Sequence, residues 1–375
     1  MEALARATAT ARVRMLELTR EYQAQREEFL AACDRVFSRG QLLGGDELRA
    51  LERELAELVG VRHVRGVASG TDALRLGMRA AGVRAGDEIL VQANAFVADV
   101  EAIVDVGAVP VAVDIDPSDL GPAPEALAAA VGPRTRGILV VHMHGFPVAL
   151  DPVLTLAREH GLVVIEDCSH AHGATFDGRH VGSFGVLGAF SLGPIKNLGA
   201  FGDAGFVATD DESLAVTVRL LGTHGQAQKN EHAFYGWNSR LDELQAALLR
   251  VKLHRLAARN RRRAEIAAYY TERLRGRCLT PPTCPRRVHA WHQYVIRTPR
   301  RDALRRHLGQ HDVETGVHYP VPIHRQPAWL ARFGRTPSMP HAERAAAEML
   351  SLPVHPDLSD AEVERVAALV AHFLG

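Results

Sequence analysis

Hydrophobic and polar positions change their spacing along the chain. The first 45 residues read as helix. In ELRALERELAELV, residues 47–59, apolar side chains fall at 48, 51, 55 and 58, the three-to-four spacing of a helical face, and Gly60 supplies a stop. Short apolar runs then alternate with helical stretches. The runs lie near 64–68, 88–92, 110–115, 137–142, 161–166, 188–192 and 205–208, and stretches such as 71–81, 97–106, 123–131 and 150–159 read as helix. Strands and helices alternating at these lengths predict an α/β sheet, largely parallel. LVVIE at 162–166 is a continuous apolar run, as expected of a strand covered on both faces. From about 240 one long helix is expected to Leu274, with Leu241, Leu244, Leu248, Val251 and Leu256 on its inner face. Pro281, Pro282 and Pro285 mark a loop, followed by a strand at 292–297, a helix at 300–309, an extended HYPVPIH segment and a final helix at 360–373. The expected division is a large domain over 1–255, with its N-terminal helical segment, and a smaller C-terminal α+β domain over 256–375.

Charge narrows the partners. Lys plus Arg number 44 and Asp plus Glu number 44, so the net charge is zero. That balance excludes a broadly basic nucleic-acid binder and a polybasic membrane-surface protein. Cys33, Cys168, Cys278 and Cys284 form no CxxC pair, so neither a zinc site nor a disulfide framework is expected. His142 and His144 come nearest to a metal spacing, and alternation at a strand end explains them as well. The Ala/Arg-rich N-terminus lacks the apolar stretch of a signal peptide, and no run of 18 apolar residues occurs. A soluble cytoplasmic protein is the expectation.

Three segments could carry chemistry. A strand runs into Ser69-Gly70-Thr71-Asp72, where a helix begins at once. Unpaired amides and a positive dipole end suit a phosphate there, and Gly permits close approach; an ordinary Ser/Thr helix cap explains the same residues. Asp167 follows Glu166 at the carboxyl end of a buried apolar strand, where open α/β sheets bind ligands. A carboxylate there needs a cationic partner, and a protonated pyridine nitrogen would serve; a helix cap or surface turn is the plain alternative. Lys196 lies among Gly, Pro and Asn in SLGPIKNLGAFGDAG. A lysine held close to backbone can lose its proton and bond a carbonyl carbon. Most loop lysines are merely solvated. Here, however, only Lys196, Lys229 and Lys252 stand among the 44 basic residues, and Arg cannot act as an amine nucleophile. A phosphate-binding helix start, a strand-end Asp and a later Lys are together the equipment of a pyridoxal-phosphate enzyme. No GxGxxG follows the first strand, where residues 66–71 read GVASGT, so a lone dinucleotide-binding dehydrogenase is disfavoured.

The chain resembles sugar aminotransferases of the DegT/DnrJ type, which have the type I aminotransferase fold. The resemblance spans roughly residues 30–372. It lies in VASGTDALRLGMRAAGVRAGDEI, ANAFVADVEAIVDVGAVPVAVDID, VVIEDCSHAHGATFDGRHVGSFG, SLGPIKNLGAFGDAG, GWNSRLDELQAALLRVKL and HYPVPIH. It implies that Lys196 is the Schiff-base lysine and proton shuttle, and that Asp167 pairs with the pyridine nitrogen of pyridoxal 5'-phosphate. His170 would contact the ring hydroxyl and Phe96 would stack on the ring. Gly70, Thr71 and Ser191 would hold the phosphate. Asn238 would reach it from a second subunit of a homodimer with shared active sites. His318, Tyr319 and His324 would line the sugar pocket, and Arg240 would contact an anionic substrate group. The implied reaction moves an amino group from L-glutamate to a nucleotide-linked keto-6-deoxyhexose, foremost a dTDP-3-keto-6-deoxyhexose. Another keto-sugar, a cyclitol or the 4-keto position stays open, as does a non-catalytic regulator on the same scaffold. Leu192-Gly193 stand where such enzymes commonly have an aromatic pair, which bears on substrate identity more than on the chemistry.

Overall fold

The computed structural model describes residues 12–375. Of the 45 residues read as helix, Leu18–Arg39 form α1, and residues 1–11 lie outside the described ones. A turn closed by Gly40 separates α1 from α2 (Asp46–Val59). The alternating region follows as β1 (His63–Val67), α3 (Gly70–Ala80), β2 (Glu88–Gln92), α4 (Val97–Asp105), β3 (Val109–Val113), α5 (Pro124–Ala130), β4 (Thr135–Val141), α6 (Leu150–His160) and β5 (Val163–Asp167). Two short strands, β6 (Thr175–Phe176) and β7 (Arg179–His180), precede β8 (Leu187–Ser191), β9 (Gly205–Thr209) and α7 (Glu212–Gly222). A hairpin of β10 (Gln226–Gln228) and β11 (Glu231–His232) leads to α8 (Glu243–Leu253) and α9 (Leu256–Leu274). The remaining elements are β12 (Arg287–Val288), β13 (Tyr294–Arg297), α10 (Arg301–Gln310), α11 (Pro327–Phe333), α12 (Pro340–Glu348), β14 (Met349–Leu352) and α13 (Asp360–Leu374).

Seven strands form the central sheet in the order β1-β9-β8-β5-β4-β2-β3. Every pairing is parallel except the two made by β9. Successive side chains on a strand point to opposite faces, which is why the runs read as continuously apolar. Ile89, Val91, Leu139, Val141 and Ile165 bury one face under α3, α4 and α7. Leu90, Ile138, Val140, Val164 and Phe206 bury the other under α2, α5, α6 and α8.

The single long helix expected from 240 to 274 is two helices, parted at His254 and Arg255. Neither Gly nor Pro causes the break. Tertiary packing does. Ala247 and Leu248 of α8 meet Phe29, Ala32 and Val36 of α1. Ile266, Tyr270 and Leu274 of α9 instead join a separate core with β13, β14, α10 and α13. One straight helix cannot face both cores. The junction is tied to α1 by Lys252 with Glu21, at 2.9 Å, and by Arg255 with Glu28. The HYPVPIH segment, expected to be extended, is irregular and ends in a 3-10 turn at Ile323–Arg325.

A buried side chain also ties the start of α2 to this scaffold. The helix α2 starts after Gly45 and has no side-chain cap of its own. Glu243, at the start of α8 and 3% exposed, reaches across and accepts the amides of Gly45, Glu47 and Leu48. It does the work of a cap from 195 or more residues away in sequence. Glu243→Ala strands these buried amides and is expected to cost about 2 kcal/mol of stability, read as a lower urea midpoint at unchanged slope.

Candidate active site

A cavity of about 420 Å³ opens at the carboxyl ends of β4, β5 and β8. Nine of the residues singled out from the sequence line it: Gly70, Thr71, Phe96, Asp167, His170, Ser191, Lys196, His318 and Tyr319. They come from five separated stretches of chain, and the sheet brings their strand ends together.

At one end lies the start of α3. Its first three amides have no partner within the helix, and Ser69 Oγ accepts only that of Asp72, at 3.1 Å. The amides of Gly70 and Thr71 are left for a ligand, beside Ser191 at the end of β8. The helix start is wedged there. A Cβ on Gly70 would lie 2.5 Å from Ser191 Cβ, and a Cβ on Gly205 would lie 2.4 Å from the Ser69 carbonyl. Only glycines let backbone meet backbone this closely.

On the other side Asp167, 5% exposed, ends β5 and accepts the Ser169 amide at 2.8 Å. Lys196 rises from the loop after β8. That loop is fixed by hydrogen bonds from the Leu192 amide to the Ala204 carbonyl, from the Ala200 amide to the Leu192 carbonyl and from the Lys196 amide to the Gly193 carbonyl. Asn197 anchors it further, donating to Asn260 and to the Ala290 carbonyl. Burial pushes the Lys196 amine below its usual value, while Asp167 and Asp99 pull it back up. The Phe96 ring is 45% exposed and lies 5.0 Å from that of Tyr319, so it faces open space rather than filling a core.

Imidazoles crowd the rim. His170 accepts the His144 amide and lies 4.5 Å, ring to ring, from His292. His144 donates to Gln293 Oε1 across 2.6 Å, and His318 meets Ser351 Oγ at 2.8 Å. Burial lowers His144 and His318 to about 4 and His172 to about 3. These rings are neutral at pH 7 and bring no charge to the cavity.

Three of the expected residues lie elsewhere. Asn238 is exposed and bridges to Thr223. Arg240 is exposed and lines a separate hollow of about 260 Å³ with Thr223 and Ser239. His324 is shut from solvent with Nε2 at 3.1 Å from Glu343, so it is turned away from the cavity. Conversely, Ser169, His292 and Gln293 line the cavity without having been singled out. The last two sit in WHQYVIR, where the strand pattern hid them. Asp99 lies just behind the wall. An acid three residues after Phe96, set between Ala98 and Val100, was its available signal.

Behind β5, His142, Glu166 and Cys168 place their ligand atoms within 4.8 Å of one another. Hydrogen bonds already use these atoms. Glu166 accepts the amides of Gly182, Phe184 and Gly185 as well as His142 Nε2. His142 Nδ1 accepts the Val148 amide, which fixes the tautomer and leaves the ring no lone pair for an ion.

A model of the DegT/DnrJ/EryC1/StrS aminotransferase family matches residues 23–371. The chain is 42% identical to the dTDP-3-amino-3,4,6-trideoxy-alpha-D-glucose transaminase of Streptomyces venezuelae, covering 97% of each chain. It is 40% identical to the UDP-N-acetyl-3-dehydro-alpha-D-glucosamine 3-aminotransferase of Acidithiobacillus ferrooxidans, covering 98% of this chain and 99% of that one. Among solved structures, DesV of S. venezuelae superposes with a TM-score of 0.94 at 41% identity, covering 97% of this chain and 99% of that one. NtdA of Bacillus subtilis, solved with bound pyridoxamine phosphate, gives 0.92 at 30% identity, covering 98% and 86%. The architecture is the α/β fold of pyridoxal-phosphate aminotransferases.

The buried network behind the site makes a prediction about acid. A lowered imidazole value stabilises the fold above the usual 6.5, and that contribution is lost as pH falls towards about 4 for His144 and His318. Burial raises Glu166, but His142 and the loop amides outweigh it and leave it below its usual 4.5. Its contribution is therefore full above 4.5 and is lost at lower pH. Glu166→Gln is expected to be less stable than the parent by roughly 3 kcal/mol at pH 7. The deficit should shrink in melts below the carboxylate range; a deficit that stays constant with pH would refute the assignment.

Proposed function

The chain belongs to the DegT/DnrJ/EryC1/StrS aminotransferase family, and on that premise we propose that it moves an amino group from L-glutamate to a nucleotide-linked keto-6-deoxyhexose, foremost a dTDP-3-keto-6-deoxyhexose. It is an aminotransferase dependent on pyridoxal 5'-phosphate. The observation that carries the reading is the cavity with Lys196 and Asp167 on its wall and a cradle of Gly70, Thr71 and Ser191 at one end. The cradle fits a phosphate, since two helix-start amides lack partners and a Cβ at residue 70 would fill the space.

Within that cradle the Gly70 and Thr71 amides and Ser191 would hold the phosphate. Asp167 would face the ring nitrogen, His170 the ring hydroxyl, and Phe96 the ring plane. Bound there, the cofactor supplies the electron sink and the carrier of the amino group. Lys196 would bind its carbonyl carbon, and its amine would hold or move the proton at the substrate carbon. The half-buried setting favours this, because burial lowers the amine's proton affinity while Asp167 and Asp99 partly restore it. His318 and Tyr319 would border the sugar. His324 and Arg240 are left out of this pocket.

Lys196 is the only Lys or Arg lining the cavity among the described residues. The proposed substrates carry several negative charges, so further polar and cationic groups are needed from outside this chain. A homodimer supplies them if exposed Asn238 and Arg240 face the partner's cavity. Division into a large domain over 1–255 and a small one over 256–375 belongs to the same proposal, supported by the separate core of α9, α10 and α13. A cytoplasmic location is proposed as well; no described helix is long and apolar enough to cross a membrane.

The sugar position follows from the relatives. One is named for a 3-amino sugar on dTDP and the other for a 3-keto sugar on UDP, which favours the 3-keto position. Two experiments test these statements. Borohydride added to the protein with pyridoxal phosphate should fix the cofactor's mass on the Lys196 peptide, and Lys196→Arg should take up none. Amino transfer from glutamate by that variant should fall roughly 10²–10⁴-fold; a variant that still yields 2-oxoglutarate at the parent rate would sink the mechanism. Offered a panel of keto-sugar nucleotides, the pyridoxamine-loaded enzyme should be emptied fastest by a 3-keto dTDP sugar. Faster emptying by a 4-keto sugar or a free cyclitol ketone would replace the substrate assignment.

A further inference from the structure

One acid beside the cavity has no part in the chemistry described so far. Asp99 lies in the first turn of α4. It is wholly shut from solvent, and neither of its carboxyl oxygens receives a hydrogen bond among the described residues. A buried carboxyl in this state is costly if ionised, and the remedy is a proton or a counter-charge. The nearby cation, Lys196, is one charge facing two carboxyls, Asp167 and Asp99.

What Asp99 does meet is the carboxyl of Asp167, within hydrogen-bonding reach. Two carboxyls in contact share one proton, since ionising both sets like charges together in a poorly solvated place. Burial first and the Asp167 charge second push Asp99 well above the ordinary carboxylate range, in keeping with this geometry. Asp167 is also held on another side, where Oδ1 accepts the Ser169 amide at 2.8 Å. Clamped by Ser169 and Asp99, it cannot turn freely about its side-chain bonds.

We propose that Asp99 is a positioning residue for amino transfer, holding a single proton against Asp167 and so fixing the carboxylate that faces the ring nitrogen. The inference rests on the Asp167 role proposed above. It also sets the charge of the pair. Asp99 and Asp167 together carry one negative charge, so the single cation beside them is matched rather than outnumbered.

The test has an arm that does not depend on the reaction. Infrared spectra of the apoprotein should show the C=O stretch of a protonated buried carboxyl, and Asp99→Asn should lack it. Titration with pyridoxal phosphate is the second arm. Asn keeps an N–H that can donate to Asp167, so its affinity should stay within about threefold of the parent, whereas Asp99→Val, with no donor, should bind at least about tenfold more weakly. Melting curves show whether each variant is folded, and if Val is not, the Asn variant and the infrared band decide alone. A band absent from the parent, a band that persists in Asp99→Asn, or a folded Val variant that binds as tightly as the parent overturns the proposal. Failure of the parent itself to bind pyridoxal phosphate would instead strike the cofactor reading, while the infrared arm still decides where the proton lies.

Discussion

The Glu166 carboxylate organises the region around the site. Its four hydrogen bonds occupy both oxygens, and it is fully buried. Three of those bonds hold the turn at 182–185, which feeds directly into β8. That strand ends at Ser191, and Lys196 follows five residues later. The neighbouring Asp167 points the other way, as strand geometry requires, and meets the cavity. Two adjacent acids therefore divide the labour. One anchors the loop behind the sheet, and the other faces the ligand side.

Close backbone contact sets the second constraint. The start of α3 sits against the ends of β8 and β9 without room for a Cβ at residues 70 or 205. This pins the helix amides beside Ser191, so the anion cradle is built from main chain more than from side chains. Its shape consequently depends little on rotamers and much on the sheet staying intact. Placing a site on rigid elements in this way keeps groups from distant parts of the sequence in register.

Much of this was legible in the sequence. The central strands announce themselves as uninterrupted apolar runs, and Lys196 stands out because lysine is scarce. Ser69-Gly70-Thr71 could be placed at a helix start from its neighbours alone. Other features depend on contacts that spacing does not encode. The break at His254 and Arg255 carries no Gly or Pro, and arises because α8 and α9 serve different cores. The seclusion of His324 comes from Glu343, 19 positions on, which no local pattern links to it. Asn238 and Arg240 point away from their own cavity, a placement that a single chain's sequence cannot reveal. Asp99 is one of three acids in its helix, with Glu101 and Asp105, and only its burial beside Asp167 sets it apart.

The poverty in lysine has a practical side. Lys229 is exposed near the β10–β11 hairpin, Lys252 is 5% exposed and paired with Glu21, and Lys196 is half-buried in the site. Among the lysine side chains, then, one is free to be labelled, one is shielded by its partner, and one is shielded only by whatever fills the cavity. An amine-selective reagent consequently becomes an occupancy meter. The ratio of modification at Lys196 to that at Lys229 reports cavity filling with an internal standard supplied by the same molecule, and without any need for the substrate to be known.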